Sequence, residues 1–180
     1  MFKKGNKNRG VTLIEALFVL GIMAIMIGGI MLLVAQSQDS TKENMLTMEI
    51  NIIVSIIHDE YGNMNTYSGL SNNIIINSGR LPNRYIFNNN IIDAYNGDVS
   101  VVDAGVTDDN TPIFKLTLKS VSRGACYTLT TQNIGNQMSA MTINGQSVGE
   151  LGTSHPYLTV NEAEKYCQGE DSNILEYTFT

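Results

Sequence analysis

An uncharged apolar run near the N-terminus constrains this chain more than any other part of its sequence. Ala16–Ala35 contains no charged residue in twenty positions. As an α-helix it would extend about 30 Å, the thickness of the hydrocarbon layer of a bilayer. A secretory signal has a shorter apolar region followed by a small-residue cleavage site, and residues 36–40 carry no such pattern. The run therefore predicts a retained helix that is long enough to cross a membrane.

The residues before the run predict its orientation and a specialised role. The cations Lys3, Lys4, Lys7 and Arg9 precede it with no acid among them. Positive residues stay in the cytoplasm, so the body of the chain is expected to face outward. A single carboxylate, Glu15, lies five residues after Gly10 and directly before the apolar run. A charged side chain inside a bilayer costs roughly 2.5–3.5 kcal/mol, so Glu15 indicates a function.

The order of Gly10, Glu15 and the apolar run resembles the N-terminus of a type IV prepilin, in which a membrane peptidase cuts after the glycine. Such a cut after Gly10 would explain both the glycine and the carboxylate, which a simple one-pass anchor leaves unexplained. The new amino group of Val11 would lie on the same helix face as Glu15. In a fibre, the amine of a neighbouring subunit would be the better partner, because burying an opposite pair costs less than burying either charge alone. A wrong register would leave Glu15 unpaired, so the pair would also set the stagger between subunits.

Composition excludes one class of partner and leaves the state of the cysteines open. The net charge is −6, and without Met1–Gly10 it becomes −10, because 7 cations then face 17 acids. Nucleic-acid binding requires a basic face, so this class is excluded. Cys126 and Cys167 show no zinc spacing. In an oxidising compartment they could pair, closing a loop of about 41 residues and contributing about 4 kcal/mol; otherwise they are buried free thiols.

The helix is expected to continue beyond the apolar run. No proline occurs before Pro82, and Gly62 is a C-terminal stop signal after Tyr61. A helix from Val11 to Tyr61 would be about 75 Å long. A 3.6-residue apolar pattern in its second half predicts packing against the rest of the chain. The pattern comprises Met45, Met48, Ile52 and Ile56, flanked by Leu46, Ile53 and Ile57. Polar residues, Glu49 among them, lie between these positions.

Short strands and turns are expected in the remainder. The Asn-, Ser- and Gly-rich stretch 63–97 predicts a long surface loop with one or two short turns of structure. Asn96–Gly97 and Asn144–Gly145 are turn signals. Strands are predicted around 99–102, 113–118, 138–143, 146–148 and 174–179, with a short helix over 122–132 and another opened by a capping box at Thr159–Glu162. These two helices are expected to carry Cys126 and Cys167. The pattern predicts an α+β fold, a long N-terminal helix packed on a mostly antiparallel sheet.

Motifs for enzymatic chemistry are missing from the sequence. No P-loop, GxSxG, HExxH or GxGxxG occurs. His58 is expected to be solvated or half-buried on the helix, His155 precedes a proline, and Asp108–Asp109 lack the spacing of a calcium loop. We therefore expect no catalytic residue, no metal and no cofactor, and interpret the chain as the substrate of an enzyme instead of an enzyme.

The chain resembles the type IVb pilins, and among them the bundlin family of bundle-forming pili. The N-terminal motif Gly10–Glu15 before an apolar helix resembles type IV pilin-like proteins in general. The segments Tyr67–Leu70, Leu81–Tyr85 and Tyr95–Val99 make the resemblance narrower, as do Ala125–Cys126 and Cys167.

This resemblance implies a processed, polymerising subunit. A prepilin peptidase would cut after Gly10, Val11 would become the N-methylated first residue, and Glu15 would serve assembly. Cys126 and Cys167 would form the disulfide that bounds a variable region. The implied domains are a leader (1–10), a transmembrane or fibre-core helix half (11–35) and a globular head (36–180).

The implied life cycle runs from the inner membrane of a Gram-negative bacterium to an extracellular pilus. The partners would be further copies of the chain through the N-terminal helices, the peptidase, the inner-membrane assembly machinery, and host surfaces or neighbouring pili in adhesion and bundling. The major subunit is the leading interpretation. A minor pilin, a type II secretion pseudopilin and an anchored periplasmic binding protein are the alternatives.

Overall fold

The computed structural model describes residues 12–132, 134, 138–150 and 157–180, without the side chains of 32–39, 149 and 150. The chain divides into two compact units, Met1–Ser40 and Thr41–Thr180. We call Thr41–Thr180 the head. The predicted domain boundaries after residues 10 and 35 stay predictions.

A single helix, α1 (Leu13–Tyr61), connects the sequences of the two units. It ends at Tyr61, as predicted from Gly62. A Cβ atom at Gly62 would collide with the carbonyl oxygen of His58, so only glycine fits there without a shift. We call the part of α1 that belongs to the head, residues 41–61, the head helix.

The buried face of the head helix differs from the predicted one by about one residue position. Met45 and Met48, which were expected to face the core, are 36% and 54% exposed. Two adjacent stripes on a helix have the same 3.6-residue period, so the period alone does not select between them. The fully buried face of the head helix consists of Leu46, Glu49, Ile50, Ile53, Ile56 and Ile57.

A seven-stranded sheet forms the other layer of the head. Its strands are β1 (Ile86–Phe87), β2 (Asn90–Ile92), β3 (Asp98–Val106), β4 (Pro112–Val121), β5 (Met138–Ile143), β6 (Gln146–Glu150) and β7 (Asn173–Phe179). Their spatial order is β1-β2-β3-β4-β7-β5-β6, and each adjacent pair is antiparallel. The C-terminal strand therefore lies inside the sheet, where Tyr177 is opposite both Leu116 and Met141.

The described residues of the head also form three short helices, α2 (Asn72–Asn77), α3 (Arg123–Thr131) and α4 (Val160–Tyr166). The two predicted helices are confirmed, and so is the capping box predicted for the second. The Ser122 side chain accepts from the amide of Ala125 at 3.2 Å, and Thr159 and Glu162 form the expected capping box. Cys126 lies within α3, whereas Cys167 follows α4 as its C-cap residue and is not inside the helix.

The stretch 63–97 contains more structure than the predicted loop with short turns. It forms α2, a 3-10 turn at Asn83–Tyr85 and the β1–β2 hairpin. The hairpin turn consists of Asn88 and Asn89, with φ of 48° and 62°, a left-handed conformation that asparagine tolerates. The asparagine tract therefore contains the turn that connects β1 to β2 and does not belong to a long surface loop. The Asn72 side chain donates to the carbonyl of Val99 at 2.7 Å, which joins α2 to β3.

The core of the head lies between the head helix and the sheet. Phe114 of β4 and Phe179 of β7 stack with ring centroids 5.2 Å apart. The ring of half-buried His58, on the head helix, meets Phe114 edge-on at 5.7 Å. The predicted α+β arrangement of a helix on an antiparallel sheet is thus confirmed.

Candidate functional site

The described part of the chain begins just after the predicted processing site. Gly10 and Val11 lie outside the described residues. The amides of Glu15 and Ala16 donate to the carbonyl of Thr12 at 3.0 and 3.1 Å, which starts α1. Glu15 is therefore in the first turn of the helix, where a negative charge is favoured by the helix dipole. Its carboxylate is exposed at the end of an apolar surface.

Within the part of the chain that the structure describes, that apolar surface is exposed. Every residue from 12 to 31 is exposed, although nearly all are apolar. Leu13–Met31 has the length and composition needed to cross a membrane. At Gly21, Gly28 and Gly29 an added Cβ would meet nothing within 4 Å. Glycines with open space around them permit close approach of a helix from another molecule.

The predicted cysteine pair forms a disulfide inside the head. Cys126 and Cys167 are bonded, with their Cα atoms 5.8 Å apart, and both are buried. The segment between them includes the rest of α3, the β5–β6 hairpin and α4. Arg123 strengthens the closure, because its amide donates to the carbonyl of Glu170 at 2.8 Å and its guanidinium to that of Gln168 at 2.9 Å.

A buried asparagine fixes the position at which the chain re-enters the sheet after Cys167. Asn173, the first residue of β7, is fully buried. Its side-chain nitrogen donates to the carbonyls of Val121 at 3.1 Å and Gly169 at 2.6 Å, and its oxygen accepts from the Gly169 amide at 3.0 Å. The sequence did not indicate this role, because one of the partners, Val121, lies 52 residues away along the chain.

The interior of the head also contains the carboxyl group of Glu49. The sequence pattern had assigned this residue to the polar positions of the helix. Glu49 is 0% exposed, and neither of its carboxyl oxygens has a hydrogen-bond partner among the residues that the structure describes. Burial, with the negative charge of Asp93 adding to it and Arg84 opposing it, raises the pKa of Glu49 to about 9. Glu49 was missed because the covering segments lie more than thirty residues further along the chain.

Asp108 and Asp109 lie in the turn between β3 and β4, where the amide of Asn110 donates to the carbonyl of Thr107 at 2.9 Å. His155 lies outside the described residues. Among the described residues, no group of three or more His, Cys, Asp or Glu side chains could hold a metal ion.

Comparison with known proteins identifies two matching family models. The bundlin model matches residues 35–180, and the model of the prokaryotic N-terminal methylation motif matches residues 5–31. Two curated relatives are each named major structural subunit of bundle-forming pilus, from Escherichia coli O127:H6 (strain E2348/69 / EPEC) and Escherichia coli O111:H-. Each is 28% identical over 177 residues, covering 91% of this chain and 90% of the relative.

A solved structure supports the same conclusion about the fold. The crystal structure of TcpA, a type IV pilin from Vibrio cholerae El Tor biotype, matches with a TM-score of 0.56 at 10% identity. The match covers 78% of this chain and 99% of TcpA. The chain therefore has the type IV pilin fold. Because the bundlin model spans residues 35–180, which is most of the sequence, the chain belongs to the bundlin family.

Proposed function

We propose that this protein is the major structural subunit of a type IVb pilus, with a structural and not a catalytic role. The observation that carries the proposal is the uncovered apolar surface of Leu13–Met31 on a chain with a bundlin head. Lipid covers this surface before assembly, and the same segments of other copies cover it in the fibre. The names of the two Escherichia coli relatives support this role.

In this proposal the chain is processed before it polymerises. A prepilin peptidase cuts after Gly10, and Val11 becomes the N-methylated first residue. The methylation-motif match over residues 5–31 supports this step. The precursor resides in the inner membrane of a Gram-negative bacterium with its cationic leader in the cytoplasm. The inner-membrane assembly machinery then transfers the subunit into an extracellular pilus.

Glu15 directs assembly through the amino group of Val11 on a neighbouring copy. The exposed position of Glu15 in the first helical turn supports this role, because its carboxylate is reachable from outside the chain. A carboxylate surrounded by apolar side chains gains most from a partner of opposite charge. A homopolymer in correct register supplies that partner in every subunit.

The head supplies the outer surface of the pilus, which mediates adhesion and bundling through host surfaces or neighbouring pili. The disulfide-bounded region, residues 126–167, is the part of the head we assign to these contacts. The Cys126–Cys167 bond and the Asn173 hydrogen bonds support the assignment, because they restrict the movement of this region.

Intact mass and N-terminal fragmentation of filaments sheared from cells would test the subunit role. A major pilin should appear as the abundant chain, beginning at methylated Val11 and lighter by the hydrogens lost from Cys126 and Cys167. Trace amounts beside another abundant subunit would indicate a minor pilin or a pseudopilin. An unprocessed chain retained in the membrane would reject the proposal and leave an anchored binding protein.

The role of Glu15 requires a separate comparison of matched variants. Glu15→Gln removes the charge while keeping the shape, and Glu15→Asp keeps the charge. We expect Glu15→Gln to be processed and folded but to give few filaments, and Glu15→Asp to retain more of them. Filament yields from Glu15→Gln equal to those of the native chain would contradict the pairing with Val11.

A further inference from the structure

Two buried carboxyl groups from different elements interact inside the head. Glu49 belongs to the head helix and Asp93 to the turn after β2, and they are 0% and 3% exposed. Within the described part of the head, both carboxyl oxygens of Glu49 and Oδ2 of Asp93 lack a hydrogen-bond partner. An ionised carboxylate accepts hydrogen bonds but donates none, so two ionised groups cannot satisfy each other. Burying both as anions would be strongly unfavourable.

The surrounding charges do not compensate for two anions. Arg84, in the 3-10 turn, is the cation that acts on Glu49, and Asp98 at the start of β3 adds negative charge near Asp93. Tyr85, beside Arg84, donates its hydroxyl hydrogen to the carbonyl of Met45 on the head helix at 3.2 Å. Ionisation of Glu49 would add a further negative charge beside that of Asp93.

Burial raises the pKa of Asp93 as well, but within the pair it is Asp93 that has hydrogen bonds favouring its charged form. Its Oδ1 accepts from the amides of Tyr95 at 2.8 Å and Gly97 at 2.7 Å, and such bonds favour the charged form. These bonds also hold the turn formed by residues 93–97 in shape. The centre of the Tyr95 ring lies 5.3 Å from Nζ of Lys42, so the turn contacts the head helix there. Glu49 is therefore the group that takes the proton.

We propose that Glu49 binds one proton when the head folds, and that this proton holds the 93–97 turn against the head helix. Loss of the proton places an additional negative charge in an interior shared with Asp93. Opening of the contact between turn and helix is the movement that gives both carboxylates access to water. Because burial raises the pKa of Glu49 to about 9, the closed head keeps the proton at neutral pH, whereas an open form with an ordinary carboxyl group releases it.

Hydrogen exchange on the full chain in detergent micelles tests this proposal. The amides of Tyr95 and Gly97 report the opening, because both donate to Asp93. The closed form binds one proton more than the open form. After correction for intrinsic exchange, protection is therefore expected to fall about tenfold per pH unit between about pH 5.5 and 8.

Matched variants connect the effect to one carboxyl group. Glu49→Gln cannot ionise, so its protection should be independent of pH; Glu49→Met serves the same purpose if the glutamine variant does not fold. Glu43→Gln is the control, because Glu43 lies on the same helix and accepts from the Thr128 hydroxyl at 3.0 Å. It should show the native pH dependence.

Three results would overturn the proposal. The first is native protection at Tyr95 and Gly97 that does not change with pH. The second is a tenfold fall per pH unit that persists when Glu49 is replaced by Gln or Met. The third is full recovery of protection at about pH 8 on addition of Ca²⁺, which would identify the two carboxylates as a cation site instead of a proton site.

Discussion

The side-chain nitrogen of Asn144 donates to Oδ1 of Asn173 at 3.1 Å, so the turn of the β5–β6 hairpin is bound directly to the first residue of β7. The amide of Asn144 donates to the carbonyl of Ile174, and Oδ1 of Asn144 accepts from the Ile174 amide, both at 2.9 Å. The Asn144 side chain also donates to the carbonyl of Tyr166 at 3.2 Å, one residue before Cys167. These bonds position the hairpin beside the disulfide.

Replacement of Asn173 by alanine should destabilise the head. The change removes the buried hydrogen bonds of this side chain and leaves the carbonyl of Val121 without that donor. We expect a loss of about 3 kcal/mol in the free energy of unfolding. Urea denaturation of the full chain in detergent would measure it, with exposed Asn161→Ala as the control. Equal stabilities of the two variants would show that the Asn173 hydrogen bonds contribute nothing net.

Removal of the disulfide should lower the free energy of unfolding, because it increases the conformational entropy of the unfolded chain. The bond spans a sequence separation of 41 residues, and the double variant Cys126→Ala, Cys167→Ala should lose about 4 kcal/mol because the unfolded chain gains loop entropy. Denaturation of the native chain with and without a reductant provides the comparison. We expect reduction and the double substitution to lower the free energy of unfolding by similar amounts. A double variant as stable as the native chain would mean that packing alone holds α3 against α4.

The head should become less stable as the pH rises from about 5 to about 8. The folded-state pKa of Glu49, about 9, lies above its ordinary value of 4.5, so the folded head binds a proton that the unfolded chain releases. This contribution is fully present below the ordinary pKa and decreases by about 1.4 kcal/mol per pH unit until the folded-state pKa is reached. Burial also raises the pKa of Asp93, which acts in the same direction at lower pH.

Thermal unfolding of the native chain and of Glu49→Gln over this pH range would measure the effect. The glutamine variant should show a much flatter dependence on pH, because it lacks the titrating group. A native chain that gains stability toward pH 8 would have the opposite sign and would contradict a buried neutral Glu49.

Two glycines in turns should respond differently to alanine. At Gly97 a Cβ atom would collide with the carbonyl of Lys119 and lie 2.9 Å from Oδ2 of Asp93. At Gly145 nothing lies within 4 Å, and the obstacle is the φ of 79°. Gly145→Ala should therefore cost about 1–2 kcal/mol. Gly97→Ala should cost at least twice as much, because backbone must move. The two urea midpoints decide the order, and a larger loss at Gly145 would reverse this interpretation.

Features that depend on neighbouring residues were predictable from the sequence. The end of α1 at Tyr61, the capping box of Thr159 and Glu162, and the turn at Asn144–Gly145 all follow from contacts within a few residues. The strands β3 to β7 were located because alternation of apolar side chains survives in a half-buried sheet. The observed ends of these strands differ from the predicted ends by only a few residues.

Features that depend on distant segments were not predictable. The β1–β2 hairpin was missed because its turn, Asn88–Asn89, also fits loop sequence. The side of the head helix that faces the core was set by the sheet and not by the helical period. Asn144, Asn173 and Glu49 have ordinary sequence surroundings, and their roles come from partners or covering segments elsewhere in the chain.

The sequence by itself determined that this protein has an apolar N-terminal helix with a single acid at its start and a cysteine-containing α+β head. These properties are local, because helix length, capping and strand alternation are encoded within short stretches. Only the tertiary structure decided which helix face is buried, that Glu49 and Asp93 share one interior, and that Asn173 secures the chain after the disulfide. Burial and hydrogen-bond partners depend on which distant segments meet, and desolvation changes the chemistry of a side chain only after they have met.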